Sequence, residues 1–311
     1  MKGRVIKSTG SWYQVEDEQH KIWECRLKGK FRKQGIKSTN PVAVGDWVEF
    51  DEEDTNGVIT DIHDRKNYIV RKSVNLSKQS HIIATNIDRA FLVVTLSTPP
   101  TSTGFIDRFL VAAEAYRIPV TLVFNKVDLY EGDDEEYMEA LRLIYKSIGY
   151  DSLVCSATEG IGVESLKAQL KDKVSLLSGH SGVGKSTLAN AIDANLDLRT
   201  QEVSDYHQKG QHTTTFAEMF PLEFGGYIID TPGIKGFGMV DMTKEELGDY
   251  FPEFFALKSS CRFNNCMHLN EPGCAVKEAL ENEELAEHRY EAYLSMLEEM
   301  DDTQHFRTGY K

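Results

Sequence analysis

The stretch Gly179-His180-Ser181-Gly182-Val183-Gly184-Lys185-Ser186 limits what this chain can fold into more than any other. It follows the apolar run Val174-Ser175-Leu176-Leu177 and opens a helix at Lys185, the strand–turn–helix setting that a G-x-x-x-x-G-K-[ST] loop requires. Glycines at this spacing let consecutive backbone N–H groups curl around phosphate oxygens, and the helix N-terminus adds its positive end. Lys185 is placed for the β- and γ-phosphates and Ser186 for Mg²⁺, with Thr187 next in the first helical turn. The bland alternative is a Gly-rich turn before an ordinary helix, and the strand ahead of the loop argues against it.

A loop of this kind sits on a parallel sheet, and the surrounding pattern supplies one. From about residue 88 apolar strands alternate with helices. Strands are expected at 90–94, 119–124, up to Cys155, 174–177 and 226–230, and helices near 104–117, 134–148, 162–171 and from Lys185. Three strands end in chemistry. Asp230-Thr231-Pro232-Gly233 offers a carboxylate to hold Mg²⁺ through water and, at Gly233, a backbone N–H for a γ-phosphate. Asn125-Lys126-Val127-Asp128 offers an aspartate that accepts two hydrogen bonds from N1 and N2 of guanine. Adenine lacks those donors, so Asp128 selects GTP over ATP. Asn125 ties base and loops together, and the stem of Lys126 lies along the ring. Ser156-Ala157 closes the strand that ends at Cys155, where a backbone N–H meets guanine O6.

Each short string alone is an ordinary strand-to-helix turn. As a set they are the signature of translation-factor-type GTPases, in an unusual chain order: the base-reading strings precede the phosphate loop. A doubly wound sheet tolerates this, because ligands bind where the carboxyl ends of strands converge, whatever the order of connection. The original termini then meet in the turn near Asp172-Lys173. New ends open before residue 88 and after Asp230.

The flanks differ from this centre. Residues 1 to about 72 carry five short alternating or β-branched runs, which suit a small barrel, most simply an OB-fold. Within it, residues 26–37 hold Arg26, Lys28, Lys30, Arg32, Lys33 and Lys37 around Phe31, with no acid. That is an RNA-contact surface or an ordinary solvated loop. The whole chain has a net charge of -14, which argues against coating nucleic acid through bulk charge. The charge is uneven: residues 1–40 hold ten Lys/Arg against four Asp/Glu, and residues 241–311 hold seven against sixteen. After about 240 the pattern is helical, with one long helix expected over 275–300 and a tail after it. Cys261, Cys266 and Cys274 with His268 give three thiolates and an imidazole, a closed tetrahedral zinc site of structural type. The alternative is three buried cysteines and an unrelated histidine. No apolar run approaches the ~18 residues of a membrane span, and Met1–Lys7 lacks a signal-peptide core. The chain reads as cytosolic, with no membrane partner, divided at 1–72, 73–238 and 239–311.

The permuted order together with Cys261-x₄-Cys266-x-His268-x₅-Cys274 resembles the circularly permuted ribosome-assembly GTPases known as ribosome small-subunit-dependent GTPase A, over nearly the whole length. The resemblance implies an OB-fold barrel, a permuted P-loop GTPase domain and a helical zinc-binding domain. It implies GTP hydrolysis to GDP stimulated by the 30S subunit during late maturation, with contacts to 16S rRNA. Nothing in the sequence demands a dimer. Gly210-Gln211-His212-Thr213-Thr214-Thr215 is similar to the family's first switch, although Gln211 stands where arginine is usual. Thr214 is then expected to complete the Mg²⁺ site with Ser186 and Asp230, and His212 to position the attacking water. The alternative for His212 is a ribosome contact or no role. Ile234 follows Gly233 where Ras-like enzymes place a glutamine, so intrinsic turnover is expected to be slow. Residues 231–240 lead directly into the zinc domain and are expected to relay loss of the γ-phosphate. Two other readings stay open: a GTP-dependent RNA-binding module with incidental hydrolysis, and a small-molecule kinase, against which the base-reading and switch strings argue.

Overall fold

The computed structural model describes residues 1–28, 41–53, 55–72, 80–196, 217–230 and 242–308. Five N-terminal strands, β1 (Lys2–Ser8), β2 (Tyr13–Asp17), β3 (Ile22–Leu27), β4 (Trp47–Glu53) and β5 (Asn56–Ile62), pair in the order β1-β2-β3-β5-β4. A further pairing of β4 with β1 closes the barrel. Only β3 and β5 run parallel, and this is the OB-fold arrangement. Alternation does the sorting: Val5, Tyr13, Val15, Trp23, Cys25, Val48, Phe50 and Ile59 fill the interior. A hairpin of β6 (Tyr68–Lys72) and β7 (Ser80–Thr85) follows. The buried carboxylate of Asp46 anchors it, accepting from Thr85 Oγ1 at 2.8 Å and from Arg65 Nε at 2.7 Å.

The central sheet uses β8 (Arg89–Val94), β9 (Val120–Phe124), β10 (Asp151–Val154), β11 (Val174–Ser178), β12 (Glu218–Pro221) and β13 (Tyr227–Asp230). Their order is β10-β9-β8-β11-β13-β12, all parallel except β12. Helices α1 (Thr103–Ala115), α2 (Asp133–Ser147), α3 (Val163–Leu170) and α4 (Lys185–Ile192) connect the strands. Two apolar layers result. One lies under α1 and α2, the other under α3 and α4, which is why β8, β9 and β11 are continuous apolar runs. The turn at Asp172, with φ +58°, links α3 to β11. β12 was not expected from the sequence. It pairs with β13 on one side and, at Lys7↔Glu218, with β1 on the other. Barrel and central layer therefore share one continuous sheet.

The C-terminal part comprises α5 (Lys244–Leu247), α6 (Pro252–Lys258), α7 (Ala275–Glu281) and α8 (Glu287–Thr308). The single helix expected over 275–300 is two. Glu283 takes φ +60°, its N–H donates to the Leu280 carbonyl, and the Glu284 N–H donates to the Ala279 carbonyl. This is a Schellman cap with glutamate where glycine is usual, so the sequence carries no punctuation for it. The expected inward positions hold: Leu285, Tyr293 and Leu297 are buried, and Leu280, Tyr290 and Leu294 pack against them. α8 also runs through most of the segment expected to be a tail. It docks on α1, where the fully buried Arg289 donates to Asp107 Oδ1 at 2.9 Å and to Glu253 of α6 at 2.6 Å. Tyr145 donates to the same Asp107 oxygen. No helix among the described residues is long and apolar enough to cross a membrane.

Candidate functional site

Three strand ends converge. Asn125, Lys126, Val127 and Asp128 follow β9, Ser156 and Ala157 follow β10, and Gly179 to Ser186 follow β11 into α4. The join is made by Asn125, 1% exposed, whose Nδ2 donates to the Val183 carbonyl at 2.9 Å. Its Oδ1 is buried without a hydrogen-bond partner among the described residues. Gly184 has φ +91°, and a Cβ there would lie 2.6 Å from Asn125 Nδ2, so this approach requires glycine. Gly179, at φ +144°, likewise leaves no room beside the Val93 carbonyl.

Lys185 Nζ donates to the carbonyls of Gly179 and His180, at 2.7 and 2.8 Å, folding the ammonium over the loop. Ser186 and Thr187 are half-buried in the first turn of α4. Lys126 adopts φ +63° and sends Nζ to the Thr98 carbonyl at 2.7 Å. Asp128 is exposed, with the Thr158 hydroxyl 3.5 Å from Oδ2. The Ser156 N–H is bound to the Ile161 carbonyl, and its Oγ accepts from the Glu159 N–H. Beneath the turn at 125–128, Tyr130 donates to the Asn125 carbonyl and accepts from the Leu96 N–H, both at 3.0 Å. Burial pushes its phenol up to about 12. Tyr130, Thr98 and Thr101 carry no signal in the sequence, because their partners are backbone groups or residues distant in the chain.

His212 and Thr214 lie outside the described residues, as do Gly233, Ile234 and the segment 231–240. Asp230 ends β13, but its side chain is outside the described set. Of the basic loop, Arg26 and Lys28 are described, and Arg26 pairs with Glu53 at 2.6 Å. Lys30, Phe31, Arg32, Lys33 and Lys37 lie outside.

The ligand atoms of Cys261, Cys266, His268 and Cys274 all lie within 4.8 Å of one another. His268 Nδ1 is 3.3 Å from Cys274 Sγ and 3.7 Å from Cys261 Sγ. Zn–S bonds of about 2.3 Å place tetrahedral ligands at comparable separations, and three soft thiolates with an imidazole suit that geometry. The site is therefore fit for a structural metal ion. Tyr290 and Tyr293 donate to the carbonyls of His268 and Met267 and brace it from α8. Burial works against the charge of Glu271, but the N–H groups of Met267, Leu269 and Asn270 outweigh it and hold its carboxyl below the usual range.

Comparison with known proteins matches this architecture. A family profile described as RsgA GTPase matches residues 62–240, and one described as RsgA N-terminal domain matches residues 2–59. The small ribosomal subunit biogenesis GTPase RsgA of Flavobacterium psychrophilum is 58% identical over 307 residues, covering 97% of this chain and 94% of the relative. The protein of the same name from Bacteroides fragilis is 55% identical over 312 residues and covers 100% of both. The crystal structure of YjeQ from Thermotoga maritima aligns with TM-score 0.79 at 41% identity, over 96% of this chain and 97% of that one. YloQ, described as a circularly permuted GTPase, aligns with TM-score 0.75 at 33% identity, over 97% and 95%.

Proposed function

The chain belongs to the RsgA GTPase family and is a circularly permuted GTP hydrolase, and on that premise we propose that it binds the 30S ribosomal subunit and assists its late maturation. In this reading the subunit stimulates hydrolysis of GTP to GDP and phosphate, and 16S rRNA is the surface contacted. The names of relatives matched along nearly the whole chain support the partner. The bond from Asn125 to the Val183 carbonyl supports the nucleotide half, since it holds the base-reading turn against the phosphate loop.

Asp128 reads the guanine edge, with Asn125, Lys126, Val127, Ser156 and Ala157 around the base. Residues 179–187 hold the phosphates, and Lys185 neutralises charge that develops on the transferred group. Ser186, Thr214 and Asp230 are the proposed Mg²⁺ ligands, and the ion supplies further neutralisation of the phosphate oxygens when bound. Gly233 senses the γ-phosphate and His212 orients water. Zinc is the ion proposed for Cys261, Cys266, His268 and Cys274. Units 1–72, 73–238 and 239–311 act as RNA-facing barrel, nucleotide switch and metal-bearing domain of a cytoplasmic monomer.

Cosedimentation tests the partner. With a non-hydrolysable GTP analogue the full chain is expected to travel with purified small subunits and not with large ones, and GDP should weaken it. Equal retention on both subunits, or none on either, would contradict the proposal.

A further inference from the structure

The loop between β8 and α1 belongs to none of the sequence motifs, yet it touches both halves of the nucleotide site. It is closed on itself. The Thr101 N–H donates to the Thr95 carbonyl at 2.7 Å, the Thr95 N–H to Thr101 Oγ1 at 3.1 Å, and Thr95 Oγ1 to the Pro99 carbonyl at 2.5 Å. On the base side it receives Lys126 Nζ at the Thr98 carbonyl, and its Leu96 N–H is held by Tyr130, which also holds Asn125. On the phosphate side a Cβ at Gly182 would lie 3.1 Å from Pro99 Cδ, so the loop packs directly on the phosphate loop.

The remaining contact is polar. His180 Nε2 lies 2.8 Å from Thr101 Oγ1, and His180 Nδ1 lies 3.1 Å from the Ser181 carbonyl. A carbonyl only accepts, so Nδ1 carries a proton, and in the neutral ring Nε2 accepts from the Thr101 hydroxyl. That hydroxyl accepts the Thr95 N–H at the same time, so each of its roles has a partner. Phe105, in the first turn of α1, meets the imidazole edge-on at 5.5 Å between centroids.

We propose that residues 95–101 are a clamp that fixes the spacing between the base-reading turn and the phosphate loop, with Thr101 and His180 as positioning residues for guanine nucleotide binding. A nucleotide spans both loops. Two half-sites held at the spacing of one ligand act on its two ends as a linked pair, and loosening that spacing weakens only ligands that touch both. The Asn125–Val183 bond sets the spacing from inside the site and the clamp sets it from outside. This rests on the reading of the pocket as a guanine-nucleotide site.

The test is equilibrium binding of GDP and of guanosine to nucleotide-free, full-length protein. Thr101→Val and His180→Ala are each expected to weaken GDP about fivefold, the worth of one net hydrogen bond. Guanosine does not reach the phosphate loop and is expected to bind both variants as it binds the unmodified protein. The double variant should be no weaker than Thr101→Val alone, because that variant has already lost the contact to His180. His180→Gln, whose amide reaches the Nε2 position, should restore GDP affinity. Thermal melting of each variant checks folding; if Thr101→Val melts early, the two His180 variants carry the comparison. GDP affinity unchanged in the variants, equal losses for GDP and guanosine, or additive losses would overturn the clamp. Unmodified protein that binds no GDP would overturn the nucleotide site itself, a separate and distinguishable result.

Discussion

At Asn125 one buried amide joins two loops, bonding to a carbonyl 58 residues further along the chain. Such side chains decide the site's chemistry, and two of its neighbours give direct tests. Lys185 is the only cation of the phosphate-loop string, so Lys185→Ala removes its one side-chain charge. Single-turnover GTP hydrolysis is expected to fall by about 100-fold or more, the effect of losing a preorganised transition-state donor. Asp128 is expected to read the guanine 2-amino group. Inosine triphosphate lacks that group and should bind the unmodified protein more weakly than GTP, and Asp128→Ala should erase the difference; competition binding reads both. The motif strings stand out in the sequence because the chemistry expected of them needs fixed types at fixed local spacing. The Thr101 contact to His180 was not, since it closes over 79 residues and neither residue type announces it.

Elements were legible where a run of apolar residues had a period of its own. β8, β9 and β11 are such runs, and the structure has them where the sequence expects strands. β12 is four residues ending in proline and takes its form from β13 and β1 on either side, so local pattern could not announce it. The α7–α8 break was hidden because a glutamate takes the left-handed cap. At the junction of α1, α6 and α8, Arg289→Met would leave Asp107 and Glu253 buried without their cation. Denaturant unfolding is expected to show a loss of about 3–5 kcal/mol, the usual cost of stranding a buried charge. The metal cluster gives a second test at this scale. Chelation should expose Cys261, Cys266 and Cys274 to a thiol reagent while Cys25 and Cys155, buried in the barrel and central layers, stay protected. Thiol counting before and after chelation measures it, and five reactive thiols would mean that the metal holds more than its own domain.

On the scale of the whole molecule, the strand ends of the candidate site are joined to both flanks. β12 joins the central sheet to the barrel through β1, and Lys7 pairs with Glu218 across that seam at 2.8 Å. On the other face α1 begins beside the phosphate loop and packs against α8, with Arg108 bound to Glu299 and Arg289 to Asp107. The sheet and α1 thus connect the strand ends of the site to the N-terminal barrel and to the metal-bearing helices through contacts other than 231–240, the route expected from the sequence. A protein with net charge -14 is unsuited to indiscriminate RNA binding, and the proposed function rests on a specific partner. The most direct measurement is GTP hydrolysis by the full chain, alone and with purified small ribosomal subunits, using ATP and large subunits as controls. Slow intrinsic turnover that rises strongly with small subunits alone, for GTP alone, is the result expected. Turnover unchanged by small subunits, or raised equally by large ones, would contradict it.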